Sequence, residues 1–344
     1  MSIWIIPFIA GVLSYILLKN RPRLRNIFMA VCGLFLIGHV VVSRTKPLPP
    51  AIGKPIRVLC TTGIAGDLVR NIAGSDVELD VVIRGDMDPH SYELVKGDDE
   101  KFSGADLVFA SGLMLEHSAS MQYVLKNHPN AVLLGNVILA EDPDEVIYVD
   151  GQLDPHIWMD PHLWKRCAPL AAQALSKVDP AHGEAFYERA KEYENRLEEL
   201  DLEIRELFGK LPPHKKYLVT SHDAFNYFVR AYFCADDEKG KWDRRINALQ
   251  GLAPDDQISP LDIKRIVDFI ANNRVAAIFP ETNLSTDSLN KVIETARKLG
   301  GSVKLSPIPI YGDTLGEAGS GAETYIQMVR HNAAVIYDAL SEET

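Results

Sequence analysis

The sequence predicts an α/β protein built as two parallel-sheet lobes joined by one long helix. Three observations carry this. From Pro55 onward short β-rich runs alternate with amphipathic helical segments, the pattern of a mostly parallel sheet. That alternation pauses near residue 178 and resumes near residue 217, and the stretch between carries apolar residues every three or four positions. With 344 residues, 47% of them hydrophobic, the chain is long enough for two well-filled lobes.

The first fifty residues stand apart from this pattern. Residues 3–18 and 27–43 are apolar runs without an acidic residue, separated by a basic loop of Lys19, Arg21, Arg23 and Arg25. Each run is near the lower limit for a membrane span, and the basic loop would stay cytoplasmic, leading everything after it to the outer side. The second run either stays as a membrane anchor or serves as a signal segment, with Val41 and Ser43 before a cut near Arg44. Two buried helices of a soluble protein are the competing reading, and the flanking charge argues against them. Cys32 has a poor lead-in for lipidation. Residues 45–53, with Pro47, Pro49 and Pro50, read as an extended linker.

The first lobe occupies 55–178. Residues 56–59 read as a strand, followed by a helix with Ile64, Leu68 and Ile72 on one face and Gly74 as its terminator. Strands at 79–83, 107–110 and 132–134 continue the series. Asp179 and Pro180 then open the joining helix, in which Phe186, Ala190, Tyr193, Leu197, Leu200, Ile204 and Leu207 share a face until Leu211-Pro212-Pro213 stops it. Over 179–211 it would be roughly 45 Å long, enough to run beside both lobes. The second lobe, 214–344, has strands at 217–220, 276–279 and 303–305. Ser259 caps a helix with Pro260 at its first position, and Ser285 precedes another whose face is Leu289, Val292, Ile293, Ala296 and Leu299. A last helix spans about 323–340.

Charge and cysteine usage exclude several functions. The first fifty residues hold six of the 36 basic residues and no acidic one, leaving 30 Lys+Arg against 47 Asp+Glu, a net charge of −17. Such a domain repels nucleic acid, and no nucleic-acid partner is expected. Cys60, Cys167 and Cys234 form no C-x-x-C pair, so thiolate zinc sites and thioredoxin-like chemistry have no support; three cysteines allow one disulfide and one free thiol.

The chemistry rests on three histidines, His90, His156 and His222, each 66 residues from the next. His90 and His156 close Asp-Pro-His turns, and His222 follows a strand in Thr220-Ser221-His222-Asp223. Proline stiffens such turns, which suits an imidazole presented as a metal ligand, although a lone histidine is more often a surface or core residue. In open parallel sheets ligands bind beyond the carboxyl ends of strands, where His90, His222, Glu281 and Asp313 all fall. A cleft would then receive His90 and His156 from one side and His222 with the carboxylates from the other. Asp313 reads as the fourth ligand. Glu281 or Asp88 would stand behind the ligands and orient an imidazole. Three imidazoles and a carboxylate suit Zn2+, Mn2+ or Fe2+.

Asp88-Pro89-His90-Ser91-Tyr92-Glu93, Gly112-Leu113 with Leu115-Glu116, Asp154-Pro155-His156-Ile157-Trp158-Met159-Asp160-Pro161, Thr220-Ser221-His222-Asp223-Ala224-Phe225 and Tyr311-Gly312-Asp313-Thr314-Leu315-Gly316 occur in that order. Together they resemble the solute-binding proteins of bacterial zinc, manganese and iron ABC importers, of the cluster A-I type, from about Arg57 to the C-terminus. The resemblance implies two pseudo-symmetric lobes, a rigid linking helix and one divalent transition metal in the cleft, held by His90, His156, His222 and Asp313. It implies a place in the periplasm or on the outer face of the cytoplasmic membrane, and delivery of the metal to an ABC permease and its ATPase. His222, where related proteins for manganese or iron often carry glutamate, is compatible with all three metals. Glu141–Leu153 is acidic without histidine, which weakens a zinc-only reading.

Some features depart from that pattern. The N-terminus is longer than a compact lipoprotein signal. Asp160-Pro161-His162 is a further Asp-Pro-His, with His162 a surface histidine or an alternative ligand; His117 reads as structural, and 235–243 as an inserted loop near the cleft. Two other functions compete. A zinc-dependent hydrolase could use three histidines and an acid, but neither H-E-x-x-H nor G-x-S-x-G occurs, and a fourth protein ligand would fill the place of the catalytic water. A surface adhesin with a structural metal would unfold on chelation. The sequence therefore points to a transport protein rather than an enzyme.

Overall fold

Alternation of side chains explains the first sheet. A computed structural model describes residues 55–254 and 258–342; the apolar runs at 3–18 and 27–43 lie outside them. Strand β1 (Ile56–Cys60) runs into helix α1 (Gly63–Ala73), whose first turn is capped by the Thr62 hydroxyl accepting from the Ala65 amide, and which ends at Gly74 in a positive-φ conformation. Then follow β2 (Val77–Val81), α2 (Asp98–Gly104), β3 (Leu107–Ala110), α3 (Ala119–Asn127), β4 (Ala131–Leu133) and α4 (Asn136–Glu141). The four strands are parallel in the order β2-β1-β3-β4. β2 starts two residues before the expected 79–83, because Val77, Leu79 and Val81 alternate with Glu78 and Asp80 as an edge strand requires. Val82 and Ile83 still donate their amides to the Cys60 and Thr61 carbonyls.

A short antiparallel hairpin, β5 (Tyr148–Val149) and β6 (Gln152–Leu153), leads into α5 (Pro161–Trp164) and α6 (Cys167–Val178). Asp179 caps only a single 3-10 turn, Pro180–His182, so the long helix α7 begins at Gly183 and ends at Gly209. Its 27 residues span about 40 Å. Its predicted face is buried down to Ile204; Phe208 then takes the inward place expected of Leu207.

The second sheet repeats the strand order of the first. β7 (Leu218–Thr220), α8 (Asn226–Tyr232), β8 (Ile246–Ala248), α9 (Pro260–Asn273), β9 (Ala277–Ile278), α10 (Asp287–Lys298) and β10 (Lys304–Leu305) precede the final helix α11 (Tyr325–Ser341). β8 pairs with β7, β10 with β9, and a bridge between Thr220 and Phe279 joins the two pairs, so the parallel order is β8-β7-β9-β10. Ser259 and Asp262 form a reciprocal capping box on α9. Leu299 falls just past α10 and is exposed rather than on its apolar face. Sequence reading missed α8, where apolar residues follow one another without helical spacing, and β8, which has only three residues.

One hydrophobic core runs through both halves. It joins Val58 and Leu68 to Tyr193, Leu200 and Phe208 on α7, and to Phe228, Phe279 and Ile336 beyond. Smaller clusters around Val108 and Met121, and around Val219 and Val292, fill the remaining side of each sheet. Of the cysteines whose pairing the sequence left open, Cys60, Cys167 and Cys234 are free thiols, the first two buried.

Candidate metal centre

Asp-Pro-His turns build two corners of the site. Asp88 accepts the amide of His90 at 2.9 Å, Asp154 that of His156 at 2.9 Å, and Asp160 that of His162 at 2.9 Å, so one local rule shapes all three. The first two rings point inward. The third turn caps α5 and leaves His162 half-exposed beside Glu198, away from the cluster. His222 stands two residues beyond β7, where the Thr220 hydroxyl donates to the His222 carbonyl and sets the turn. Asp313 follows the bridge between Glu281 and Ile310.

These four side chains converge. His90, His156, His222 and Asp313 are buried, and one ligand atom from each lies within 4.8 Å of the others. His156 Nε2 is 3.3 Å from His90 Nε2 and 3.3 Å from Asp313 Oδ1; His222 Nε2 is 3.2 Å and His90 Nε2 3.6 Å from Asp313 Oδ2. Metal–nitrogen bonds of 2.0–2.1 Å put donors about 3.3 Å apart along a tetrahedral edge, so this spacing fits a transition metal. Neither Asp313 oxygen has a hydrogen-bond partner, nor does His222 Nε2. Orphaned buried acceptors are costly, and a cation between them would satisfy all three atoms.

Behind these four side chains stand two further carboxylates. Asp154 Oδ1 accepts from His156 Nδ1 at 2.7 Å, fixing which ring nitrogen faces inward. Glu281 Oε1 accepts the His222 amide at 2.8 Å, while Oε2 lies 2.6 Å from His222 Nδ1 but off the line a hydrogen bond requires. Asp88 touches only its own turn and Ser91, so of the two residues expected to orient an imidazole, Glu281 lies beside the His222 ring and Asp88 lies beside none. Sequence reading missed Asp154. Its signal was present, since the same Asp-Pro-His turn lets the carboxylate reach both the amide and the ring.

Burial of Asp154, Glu281 and Asp313 together demands positive charge. Burial disfavours the imidazolium at His156, yet the Asp154 carboxylate prevails and raises its pKa to about 9. At His222 burial again opposes protonation, but Glu281 and Asp313 hold the pKa well above the usual value. Burial lowers that of His90. At Asp313 burial would raise the pKa, but His222 and the other imidazoles keep it well below the carboxylate range.

Many of the supporting contacts cross between the halves of the chain. Trp158 Nε1 donates to the Gly312 carbonyl at 2.9 Å, and the Tyr325 hydroxyl donates to the Trp158 carbonyl at 2.6 Å. Trp158 also packs edge-on against His156. Gly312 is required by space: a Cβ there would stand 2.3 Å from Glu281 Oε2 and 2.9 Å from His222 Cε1. On the other flank the buried Glu116 accepts from Thr61 Oγ1, the Ser111 amide and the Gly112 amide, bracing a loop in which Gly112, Leu113 and Met114 all have positive φ. His117 is exposed, with its ring 5.9 Å from that of His90. The 235–243 segment forms 3-10 turns packed on α8 and β8; with Asp160, Asp201 and Arg230 it lines a separate hollow of about 670 Å³.

Comparison with known proteins matches both sequence and fold. The metal-binding protein YtgA of Chlamydia trachomatis serovar D is 35% identical over 324 residues, 94% of this chain and 96% of that protein. The manganese-binding lipoprotein MntA of Bacillus subtilis is 33% identical over 287 residues, 83% of this chain and 90% of its own. The Fe(III)-bound structure of Chlamydia trachomatis YtgA superposes with a TM-score of 0.79, covering 83% of this chain and 98% of that one at 35% identity. The periplasmic zinc-binding protein TroA of Treponema pallidum gives 0.77, covering 84% and 100% at 30% identity. Residues 58–339 match the family pattern described as zinc-uptake complex component A, periplasmic. The chain therefore belongs to the ZnuA family.

Proposed function

We propose that this chain is the extracytoplasmic substrate-binding component of an ABC importer, capturing one transition-metal ion and delivering it to a permease and its ATPase. The ligands are His90, His156, His222 and Asp313, with Glu281 and Asp154 orienting the rings. The observation that carries the reading is the convergence of three buried imidazoles on a carboxylate whose two oxygens have no hydrogen-bond partner. The relatives' names support it, since they include binding proteins for zinc and manganese and a structure with Fe(III). In this reading residues 1–50 are a membrane anchor or a signal segment, 55–178 and 214–344 are the lobes, and 179–211 is the helix between them. Among the described residues no helix is long and apolar enough to cross a membrane, so the tether is assigned to those fifty.

A fourth protein ligand takes the position a catalytic water would need, which favours carriage over hydrolysis. Anaerobic competition titration of the metal-free, full-length protein with Zn2+, Mn2+ and Fe2+ tests the assignment. One tight equivalent is expected, lost in Asp313→Ala and weakened about 10- to 100-fold in Glu281→Ala. If Asp313→Ala binds normally while Glu281→Ala does not, the fourth ligand is wrong. Absence of stoichiometric binding by the unsubstituted protein would end the transport reading.

A further inference from the structure

We propose that Asn226 is a positioning residue for metal binding, acting on His156 through Asp154 from the opposite half of the chain. The proposal rests on the reading of His156 as a ligand. Asn226 opens helix α8, is fully buried, and donates from Nδ2 to Asp154 Oδ2 at 3.0 Å. The other oxygen of the same carboxylate holds both the amide and the ring Nδ1 of His156. The next residue, Tyr227, grips the same place by its hydroxyl, which donates to the Asp154 carbonyl at 3.0 Å and accepts the Ile147 amide at 3.0 Å. One turn of α8 thus holds Asp154 by side chain and backbone, 72 residues away in sequence.

What marks Asn226 as more than packing is its other end. Its Oδ1 is buried without a hydrogen-bond partner. Turning the amide over would aim its carbonyl at the Asp154 carboxylate, so the donor must face Asp154. The amide therefore keeps one N–H on the carboxylate that holds His156. Because Asn226 lies in the second half and Asp154 in the first, the alignment of His156 depends on how the halves meet.

The test uses the full-length protein in detergent, with Co2+ as a probe whose visible absorption reports ligand geometry and Zn2+ released into excess chelator. Asn226→Leu, and Asn226→Ser as a smaller replacement should the first not fold, are expected to bind one equivalent with an altered Co2+ spectrum. Zinc dissociation should be 10- to 100-fold faster, with melting of the metal-free protein changed by only a few degrees. Asp154→Ala should do at least as much, and the double variant no more than Asp154→Ala alone, since the two act in series. A wild-type spectrum and release rate in both Asn226 variants, or effects that multiply in the double variant, would overturn the proposal. Failure of the unsubstituted protein to bind metal would instead remove the reading on which it rests.

Discussion

A glycine beside a ligand shows how tightly the centre is drawn. Gly312 does not have a positive φ, so its lack of a side chain is a matter of space. Gly312→Ala should push Glu281 and His222 apart and weaken metal binding about 10- to 100-fold, as measured by competition titration, while the metal-free protein still folds. Unchanged affinity would mean that Glu281 can swing away freely. At this scale the sequence was legible where chemistry is local. The Asp-Pro-His turns at His90 and His156 could be read because the proline and the Asx bond are both written within three residues, although the same turn at His162 faces away from the cluster. Contacts made by folding were not legible. Nothing near Asn226 or Trp158 says that one will meet Asp154 and the other the Gly312 carbonyl, since those partners are 72 and 154 residues distant.

Among the elements, α5 carries a buried charge that can be weighed. Asp160 caps it, and burial, followed by the charge of Asp201, raises the Asp160 pKa to about 6, against lowering by Arg205, Arg230 and His162. The folded protein thus binds more protons at this position than the unfolded chain between about pH 4 and 6. Stability should fall as pH rises through that window, by about 3 kcal/mol at most, and level off above it. Asp160→Asn keeps a capping side chain and should flatten that slope in denaturant melts of the metal-free protein at pH 4 to 7. A slope that persists assigns the effect elsewhere. Sequence periodicity found the long helix and the Ser259 cap of α9 because amphipathic spacing and capping residues are local. It missed α8, where Tyr227, Phe228, Val229, Ala231 and Tyr232 are all buried and leave no polar face to mark a period.

At the scale of the whole molecule, a single core passing through both halves means that metal is not what holds the fold together. Chelation should lower the melting temperature without unfolding the protein. Metal at 1,000 times its dissociation constant adds about 4 kcal/mol, roughly 6 °C in a protein of this size by calorimetry. Collapse of the far-ultraviolet circular dichroism on chelation at 25 °C would favour a structural metal and the adhesin reading. The repeated strand order of the two sheets was foreshadowed by the resemblance as pseudo-symmetry of the lobes, whereas the shared core and the pairing of β7 with β8 depend on contacts distant in sequence and were not legible. Burial of all four ligand side chains has a kinetic meaning as well. A chelator in solution cannot touch the ion while the protein is closed, so no ternary complex can form and metal leaves only as fast as the protein opens. Loss should therefore become independent of chelator concentration, and how long the cargo stays aboard is set by the carrier rather than by the strength of its competitors.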